Sequence, residues 1–452
     1  MSGFEINSES IKKIKSLVKR KNNRLLKKDL SKLHYADIAE IVELLSIENA
    51  TYIIKLLESD KTADALAEID EDLREKILDK LSSTEIADEI QKLNTDDAAD
   101  LVAELPEDRK EKVLSKISNT EHLKDIRELL TYEEDTAGAI MAKELVKIQE
   151  NLSILKCLNI MRIQAENINR VHSIYVVDSN NKLLGRLSLK DLLTANSKAK
   201  IKDIYIPKVD YVFVDQEVDQ VAKIMFKYDL EAIPVINKKR ELLGRITIDD
   251  VVDLTKEEAE KDYQLASGIS NDVEANDSIY ELTKARFPWL FLGLIGGLGS
   301  VFILQDFEEV MNSPELRSLF FYTPLIAAMA GNVGVQSSAI IVQGIANDVL
   351  RGSIWSRLLK EISLSLINGF LLSSILILFG VLVNQDISLT LTVSISLMGV
   401  IIISALIGTF VPIILNKKGI DPAIATGPFI TTSNDIFGIF IFFYLAKLIL
   451  GF

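Results

Sequence analysis

Five long apolar segments in the second half of the chain constrain its fold more than any other sequence feature. They fall at about 287–304, 319–346, 357–383, 389–415 and 423–450. Each is near or above the roughly 20 residues that a helix needs to cross a bilayer. Because lipid offers no hydrogen-bond partners to an open backbone, we expect a polytopic α-helical membrane domain of five spans over 286–452.

The residues before about 285 have the opposite character, because they are dense in Lys, Glu and Asp. The net charge of -14 therefore belongs to a soluble half. It argues against nucleic acid as a partner, since phosphate binding needs a concentrated positive surface. Cations are the expected partners. No apolar leader opens the chain, so the first ~280 residues are expected to stay in the cytosol.

Charged residues beside the apolar segments predict the orientation of a multi-pass protein in the cell membrane. Basic connections are expected inside and an acidic loop outside. With five spans, the N-terminal domains are then cytosolic and the C-terminus lies outside. The basic residues are Arg351, Arg357, Lys360, Lys417 and Lys418, and the acidic loop holds Asp306, Glu308 and Glu309.

Residues 31–135 place apolar side chains at helical spacing between short polar breaks. The segment IDEDLREKILDKL from Ile69 returns as LPEDRKEKVLSKI from Leu105. This repetition predicts an all-α superhelical N-terminal domain. The segment 1–30 before it contains a basic run from Lys12 to Lys28, which fits either a solvated helix face or a contact with anionic lipid. We assign no function to that run here.

A second repeat is gapless: IYVVDSNNKLLGRLSLKDLL from Ile174 matches IPVINKKRELLGRITIDDVV fifty-nine positions later. Each copy reads as strand, turn, strand and helix, an α/β pattern. The two copies resemble a pair of cystathionine-β-synthase (CBS) domains, at 136–198 and 199–256. CBS pairs either bind adenine nucleotides between the copies or serve as mechanical dimerisation units. That resemblance implies a cleft near Pro234 and Asp249 in which a nucleotide such as ATP would bind as a regulator.

The second apolar segment is not a plain anchor, because TPLIAAMAGNVGVQSSAIIVQG places Asn332 and Gln336 at membrane depth. Polar groups there are tolerated when they are buried in protein or line a watery cavity. Small residues that let helices pack closely are the alternative explanation, and they account for the glycines better than for the amides. We expect the segment to line a pore.

The fifth segment, DPAIATGPFITTSNDIFGIFIFFYL, holds Asp435 near its middle, after Thr431 and Thr432. An aspartate at the centre of a membrane helix costs about 2.5–3.5 kcal/mol on insertion scales, so it normally faces a cavity, an ion path or a partner charge. Ion coordination, a structural hydrogen bond and a proton relay are the three interpretations. The polar groups of the spans are otherwise expected to be amides and hydroxyls, with this single acid.

Oxygen ligands alone, with no thiolate or imidazole in any span, exclude a soft-metal preference. Magnesium keeps its waters and is commonly held by one or two carboxylates, which suits one Asp per subunit at a dimer axis, whereas calcium usually takes more direct oxygens. Manganese and cobalt stay open as alternatives. The membrane potential supplies about 2.3 kcal/mol per charge per 100 mV, so inward flow needs no ATP site, and no Walker-type loop is present.

Other reactive side chains give no sign of an enzyme. Cys157 is the only cysteine, which excludes an internal disulfide framework, and His34, His122 and His172 are too scattered for a metal triad. No nucleophile–base pair or HExxH helix is found. A membrane enzyme is therefore rejected, and a membrane-anchored CBS sensor without transport is kept as an alternative.

The order of helical repeats, CBS pair, acidic connecting segment at 257–285 and five spans, with AGNVGVQS and DPAIATGPFITTSND, resembles the MgtE-type magnesium channels. That resemblance implies a homodimeric channel, embedded in lipid, through which magnesium enters the cell down its electrochemical gradient. It makes Asp435 the pore carboxylate, Asp421 a site near the inner mouth and Asn332 a pore-lining residue. The hydroxyls of Thr431 and Thr432 are further pore candidates.

The same resemblance implies that cytosolic magnesium closes the pore by bridging acidic faces of the helical domain, the CBS pair and the connecting "plug" helix. Like charges would push these faces apart at low magnesium, and bound divalent ions would join them. For each acid singly, a solvated helix face is the competing explanation. The candidates are Asp64, Asp96, Asp100, Asp215, Glu217, Asp229, Asp249, Asp250, Asp253, Glu257, Glu258 and Asp262.

Overall fold

The structure is a computed structural model in which two compact units are distinguished, Met1–Thr255 and Lys256–Phe452. Arg351 and Glu309, which entered the predicted orientation, lie outside the described residues. The structure describes residues 8–451 except 58–59, 167, 169, 197–198, 271–272, 276, 309, 311–315, 348, 351–352 and 426.

The first unit begins with short helices that pack in successive layers, as the repeats predict. Helix α3 contacts α5, α5 contacts α7, and α7 contacts α9, while α8 lies against α10. The helices are α1 Ser8–Lys19, α2 Asn23–Leu30, α3 Tyr35–Glu43, α4 Ile47–Leu57, α5 Asp60–Glu68, α6 Glu71–Leu78, α7 Ser83–Ile90, α8 Thr95–Ala103, α9 Glu107–Leu114 and α10 Thr120–Leu129.

The two copies of the repeated segment become helices α6 and α9, which bury the same two positions. Ile77 and Leu78 of α6 are matched by Val113 and Leu114 of α9, and all four are buried. Each helix also sends an arginine to a carboxylate thirty residues away, as Arg109 Nη1 does to Asp79 Oδ1 at 3.0 Å. The repeat therefore sets the buried face, whereas the two arginines occupy different positions within it.

The CBS pair consists of two three-stranded sheets with identical connectivity, β1-β2-β3 and β4-β5-β6. In each, the first strand pairs parallel with the second and the second antiparallel with the third. The strands and helices are β1 Val146–Gln149, α11 Ile154–Ala165, β2 Ile174–Val177, β3 Leu183–Leu187, α12 Leu189–Thr194, β4 Val212–Phe213, α13 Val218–Tyr228, β5 Ala232–Ile236, β6 Leu242–Thr247 and α14 Ile248–Ala266.

The fifty-nine-residue offset extends to irregular features of the two sheets. The strand register shifts at Val176/Val177 in one copy and at Val235/Ile236 in the other. Gly244 is required by close backbone approach, because a methyl group there would stand 2.7 Å from the Ala142 carbonyl oxygen. The predicted α/β CBS pair is confirmed in its strands and their order.

The predicted connecting segment 257–285 is not one helix in the structure. Its first part continues α14, which runs without a break from Ile248 to Ala266, and its last part is the start of α15 at Ile279. A short turn with Gly268 at φ +79° ends the first helix. A single plug helix over the whole segment is therefore wrong, while the domain limits themselves stay predictions.

The second unit contains five helices long and apolar enough to cross a membrane among the described residues, as predicted. Helix α18 lies centrally against α16, α17 and α19, and α15 contacts α19. The predicted fold class is thereby confirmed. The helices are α15 Ile279–Asp306, α16 Thr323–Ala346, α17 Ile354–Leu382, α18 Ile387–Lys417 and α19 Gly427–Leu450.

The central helix α18 buries hydroxyl side chains that its own backbone satisfies. Thr392 Oγ1 donates to the Ser388 carbonyl oxygen at 2.8 Å, and Ser394 Oγ donates to the Thr390 carbonyl oxygen at 2.8 Å. Since lipid supplies no alternative partner, such bonds let small polar residues pack between helices at little cost. Thr392 and Ser394 are satisfied in this way, whereas Ser396 Oγ and Thr409 Oγ1 of the same helix are buried without a hydrogen-bond partner among the described residues.

Helices α16, α18 and α19 meet through backbone rather than through large side chains. A methyl group on Gly408 would collide with the carbonyl oxygen of Gly334, and one on Gly334 would collide with the side-chain amide of Asn434. On α19, the helix that carries Asn434, a methyl group on Gly438 would lie 2.7 Å from Ala330 Cβ of α16. Small residues therefore set the spacing of the three helices that position Asp435.

Candidate functional site

Asp435 lies against bare backbone in the membrane unit. It is half-buried, and its Oδ1 would be 3.4 Å from a methyl group placed on Gly331 of α16. Asp435 is eight residues into α19, about 12 Å along the axis at 1.5 Å per residue. Thr431 shares this face, and its Oγ1 donates to the Gly427 carbonyl oxygen at 3.0 Å. The carboxylate is thus held beside α16, where Gly331 leaves space.

Asn332 and Gln336 lie four residues apart on α16, and both are exposed in the single chain. A four-residue step returns to the same face of a helix, so the two amides form one polar strip beside Gly331. Exposed amides at membrane depth are costly against lipid. The strip presents polar atoms outward from α16, as exposed Asn368 does from α17.

Two other predicted pore residues lie elsewhere. Thr432 faces the first span, because its methyl group occupies the space over Gly296 of α15. Asp421 is exposed in the turn before α19, where its Oδ1 accepts from the Ala423 amide at 2.8 Å. The structure therefore brings Asp435 and Thr431 together beside Gly331, the residue before Asn332, and leaves Thr432 and Asp421 apart from them.

A second acid within the spans was missed, and the expectation of one acid is wrong. Glu361 lies in α17, seven residues after its start, and its Oε1 accepts from Ser337 Oγ of α16 at 2.6 Å. The depth, about 10 Å along the helix, is similar to that of Asp435. Because Glu361 follows Lys360 near the edge of an apolar segment, it resembled an interfacial charge in the sequence.

The first unit brings together acids from three helices. Asp64 and Glu68 lie on α5, Asp96, Asp97 and Asp100 on α8, and Asp249, Asp250 and Asp253 at the start of α14. Their charges act on one another: Asp97 experiences the carboxylates of Asp250, Asp100, Asp64 and Glu68, and Glu68 experiences that of Asp253. We call this set the acidic region. Six of its members were predicted from the sequence, and they come from elements distant in sequence.

Burial and like charge both act on the acidic region. Burial, reinforced by Asp250 and Asp100, raises the pKa of Asp97 to about 7. Burial also raises the pKa of Asp96, with Asp97 and Asp250 as the next causes. The pKa of Asp250 is raised by burial too, against a hydrogen bond from Thr247. Carboxylates whose ionisation is disfavoured in this way are stabilised in the charged form by a nearby cation.

Without magnesium, these raised pKa values predict that the free energy of unfolding falls as pH rises. A carboxyl whose folded pKa exceeds its unfolded value binds more protons when folded, so its contribution is lost between about pH 4 and pH 7. We expect Asp97→Asn to stabilise the chelator-treated protein by about 2 kcal/mol at pH 8 and by little at pH 4.5. Thermal unfolding in detergent measures this, and an equal effect at both pH values would contradict it.

Asp97 and Glu68 were not selected from the sequence, where the DDAAD run indicated Asp96 and Asp100 as one helix face. Asp96 instead turns into the structure, where its Oδ1 accepts from the Asp97 amide at 3.0 Å. Glu144, also missed, accepts from Thr95 Oγ1 at 2.8 Å at the start of α8. Among the described residues, no three Asp, Glu, His or Cys side chains stand as a ready-made metal site.

The remaining predicted acids are placed elsewhere in the structure. Asp215 is exposed and paired with Lys238 Nζ at 2.9 Å. Glu217 precedes α13 and Asp229 follows it, so the 11-residue helix separates them by about 16 Å. One chain therefore does not unite these three acids. The plug candidates Glu257, Glu258 and Asp262 lie on the second part of α14, where Glu257 and Glu258 are exposed.

Buried polar atoms without partners mark the cleft between the CBS copies. They are His172 Nδ1, Tyr175 Oη and Arg245 Nη1. Arg245 pairs in register with Pro234, and the charge of Asp249 acts on His172, so both predicted cleft residues lie beside this group. Burial, then Arg245, lowers the pKa of His172. Orphan buried groups of this kind need a ligand or water, and they were not evident from the sequence.

Comparison with family models covers most of the chain. A model described as the MgtE intracellular N domain matches residues 33–135, and the CBS domain matches residues 137–198 and 201–257. A model described as a divalent cation transporter matches residues 323–445. The three models follow one another in the order of the structural elements.

Whole-length relatives agree with these models. The magnesium transporter MgtE of Thermus thermophilus is 33% identical over 71% of this chain and 72% of its own. The magnesium transporter MgtE of Bacillus subtilis is 31% identical over 70% of each chain. Both alignments exceed two thirds of the relative.

Solved structures match the cytosolic part. A crystal structure of the soluble part of a magnesium transporter is 30% identical, with a TM-score of 0.51, over 56% of this chain and 98% of that one. The cytosolic domain of the Mg2+ channel MgtE in complex with ATP is 28% identical, with a TM-score of 0.51, over 53% and 98%.

Proposed function

The chain belongs to the MgtE family of divalent cation transporters, and we propose that it conducts magnesium into the cell through its helix bundle, under control of magnesium in the cytosol. It is a membrane transporter with a cytosolic N domain. The observation that supports the pore most directly is Asp435, a half-buried carboxylate at membrane depth beside Gly331 of α16.

A second copy of the chain would complete the ion path. Asn332 and Gln336 point out of the single bundle, where lipid would leave their amides unsatisfied. Facing the same strip of a second copy, they would line a polar passage with one Asp435 from each side. Two carboxylates and several amide and hydroxyl oxygens suit a magnesium ion that keeps part of its water shell.

The direction of flow follows from the membrane potential. A divalent cation that moves to the negative cytosol gains about 4.6 kcal/mol per 100 mV, twice the value for one charge. In this proposal Asp435 lies in the inner part of α19. The orientation with the C-terminus outside belongs to this proposal. Among the described residues of α15–α19, nothing resembles a nucleotide site that would drive uphill transport.

Magnesium flux into proteoliposomes tests the function itself. A potassium diffusion potential of about 100 mV, inside negative, is imposed and internal magnesium is read with a fluorescent chelator. Uptake by the purified protein supports the proposal. Uptake of manganese or cobalt without magnesium would establish the other-ion alternative, because oxygen ligands also suit those metals. No cation flux would leave the membrane-anchored CBS sensor.

The acidic region supports the proposed control. Its carboxylates repel each other, so the helices α5, α8 and α14 are held together against electrostatic resistance. A divalent ion would remove that resistance and favour the close arrangement, which differential binding then makes the populated state. The plug acids Glu257 and Glu258 follow on the same helix α14, toward the membrane unit in sequence.

We also propose that an adenine nucleotide regulates the chain through the CBS cleft. Arg245 Nη1 and His172 Nδ1 offer unpartnered nitrogen atoms for phosphate or ring contacts, and the aromatic ring of Tyr175 is fully buried there. The relative crystallised with ATP shares this part of the fold. Because the orphan atoms belong to residues far from the membrane helices in sequence, the nucleotide would act as a regulator and not as the energy source.

A further inference from the structure

Two helices ahead of the family's N domain present a concentrated basic surface. Residues 8–32 contain ten Lys and Arg residues against two acidic ones, in a chain whose net charge is -14. They form α1 and α2, and every one of the ten basic side chains is exposed. We call these ten side chains the basic face. The family model for the N domain begins at residue 33, after them.

The basic face is held in a fixed direction by the core beneath it. Ile14 and Val18 of α1 are 4% and 5% exposed and belong to the same core as the rest of the N-terminal helices. At 100° per residue, Lys12 and Lys19 fall on the opposite side of α1, and Lys15 lies on its flank. The apolar side is therefore already occupied, and the charged side points to solvent.

The charges of this face are mostly uncompensated. Among the ion pairs of the described residues, Lys13 Nζ with Asp29 Oδ2 at 2.7 Å is the one that involves it. Leu25, which is exposed between these basic residues, is uncharged and does not compensate them. A surface of this kind attracts polyanions strongly at physiological salt, over a range of about 8 Å.

We propose that the basic face binds the anionic phospholipid headgroups of the cytosolic leaflet. Clusters of Lys and Arg on an amphipathic helix are attracted to that leaflet, whose surface potential is negative. The same chain carries the spans, so the face and the lipid are held at high effective concentration without any further partner. The contact is peripheral, because Ile14 and Val18 are committed to the core and cannot insert as an amphipathic helix would.

Nucleic acid fits this surface less well than lipid. Residues 8–32 contain no Phe, Tyr or Trp, so there is no aromatic platform on which bases could stack. The cytosolic leaflet needs only positive charge within a Debye length, which the face supplies. Nucleic acid binding remains an outcome that the experiment distinguishes.

The test uses the full chain in lipid nanodiscs. Leu25→Cys is labelled with a fluorophore, since the native Cys157 is buried. Quenching by headgroup-nitroxide lipid is compared between neutral discs and discs with about 30% anionic lipid. We expect quenching about threefold greater in anionic discs, and its loss at about 1 M salt, where the Debye length shrinks to about 3 Å.

Charge variants identify the surface. Lys12→Glu, Lys15→Glu and Lys19→Glu together should abolish the anionic-lipid effect, whereas Lys76→Glu, Lys80→Glu and Lys116→Glu, exposed lysines with the same total charge change, should retain it. Unchanged circular dichroism verifies that both triple variants fold. Equal quenching in neutral and anionic discs would overturn the proposal, as would an effect that survives in the α1 variant. Relief of quenching only by single-stranded RNA would assign the face to nucleic acid instead.

Discussion

Replacing Asp435 by Asn should lower magnesium flux by about 30-fold or more, while the protein still folds and inserts. The change keeps the shape of the side chain beside Gly331 and removes its charge. A loss of about 2 kcal/mol in stabilising the passing ion corresponds to roughly that factor. The measurement is the initial rate of magnesium uptake into proteoliposomes under an inside-negative potential.

Asp386→Asn is the matched control for this variant. Asp386 is also a carboxylate of the membrane unit, but its Oδ1 caps α18 by accepting from the Ser388 amide at 2.9 Å. Its replacement should leave both the flux and the stability nearly unchanged, because Asn caps a helix about as well as Asp and this position contacts no ion. Full flux in Asp435→Asn would remove Asp435 from the ion path and make Glu361 the acid to test next.

Neutralising two acids of the acidic region should make the flux less sensitive to cytosolic magnesium. In the double variant Asp97→Asn and Asp250→Asn, the concentration that halves the flux should rise about tenfold or more, because a lost charge pair of about 1.4 kcal/mol already gives that factor. Burial raises the pKa of both carboxyls. The charge of Asp250 raises that of Asp97 further, and the charge of Asp249 raises that of Asp250, so a divalent ion would relieve strong repulsion at these two positions. Flux is recorded while magnesium is varied on the sensor side.

Asp215→Asn separates a specific effect from a general change in charge. Asp215 is exposed and ion-paired with Lys238 outside the acidic region, so its variant should close at the same magnesium concentration as the wild type. Magnesium should also raise the unfolding temperature of the wild type and of Asp215→Asn, but not of the double variant. If the double variant closes normally, the sensor lies among other acids, and the plug residues Glu257 and Glu258 become the candidates.

The fold was predictable from the sequence because its determinants repeat within short windows. The fifty-nine-residue offset predicted both sheets with Gly185 and Gly244 at matched places, and apolar length predicted the five membrane helices. Both signals come from local patterns in the sequence, and the packing of the folded chain agrees with them. The extent of the plug helix was not predictable, because the acidic composition of 257–285 indicates a helix but not that α14 ends at Ala266.

The site was only partly predictable, since it depends on contacts between distant segments. The DDAAD run indicated a helix face through Asp96 and Asp100, but the side of α8 that meets α14 includes Asp97. Asp96 is turned inward by its own bond to the Asp97 amide. Likewise, the orphan atoms of Tyr175 and Arg245 come from strands about seventy residues apart, and no spacing in the sequence relates them.

The contact of Gly334 with Asn434 limits how this bundle can evolve. Any side chain at Gly334 would take the space of the Asn434 amide, and any side chain at Gly408 would meet the Gly334 carbonyl. Such positions must change together, and intermediates with one change are overpacked. New ion preferences in descendants of this protein are therefore expected to arise at open positions such as Asn332 and Gln336, whose side chains can vary one at a time without moving a helix.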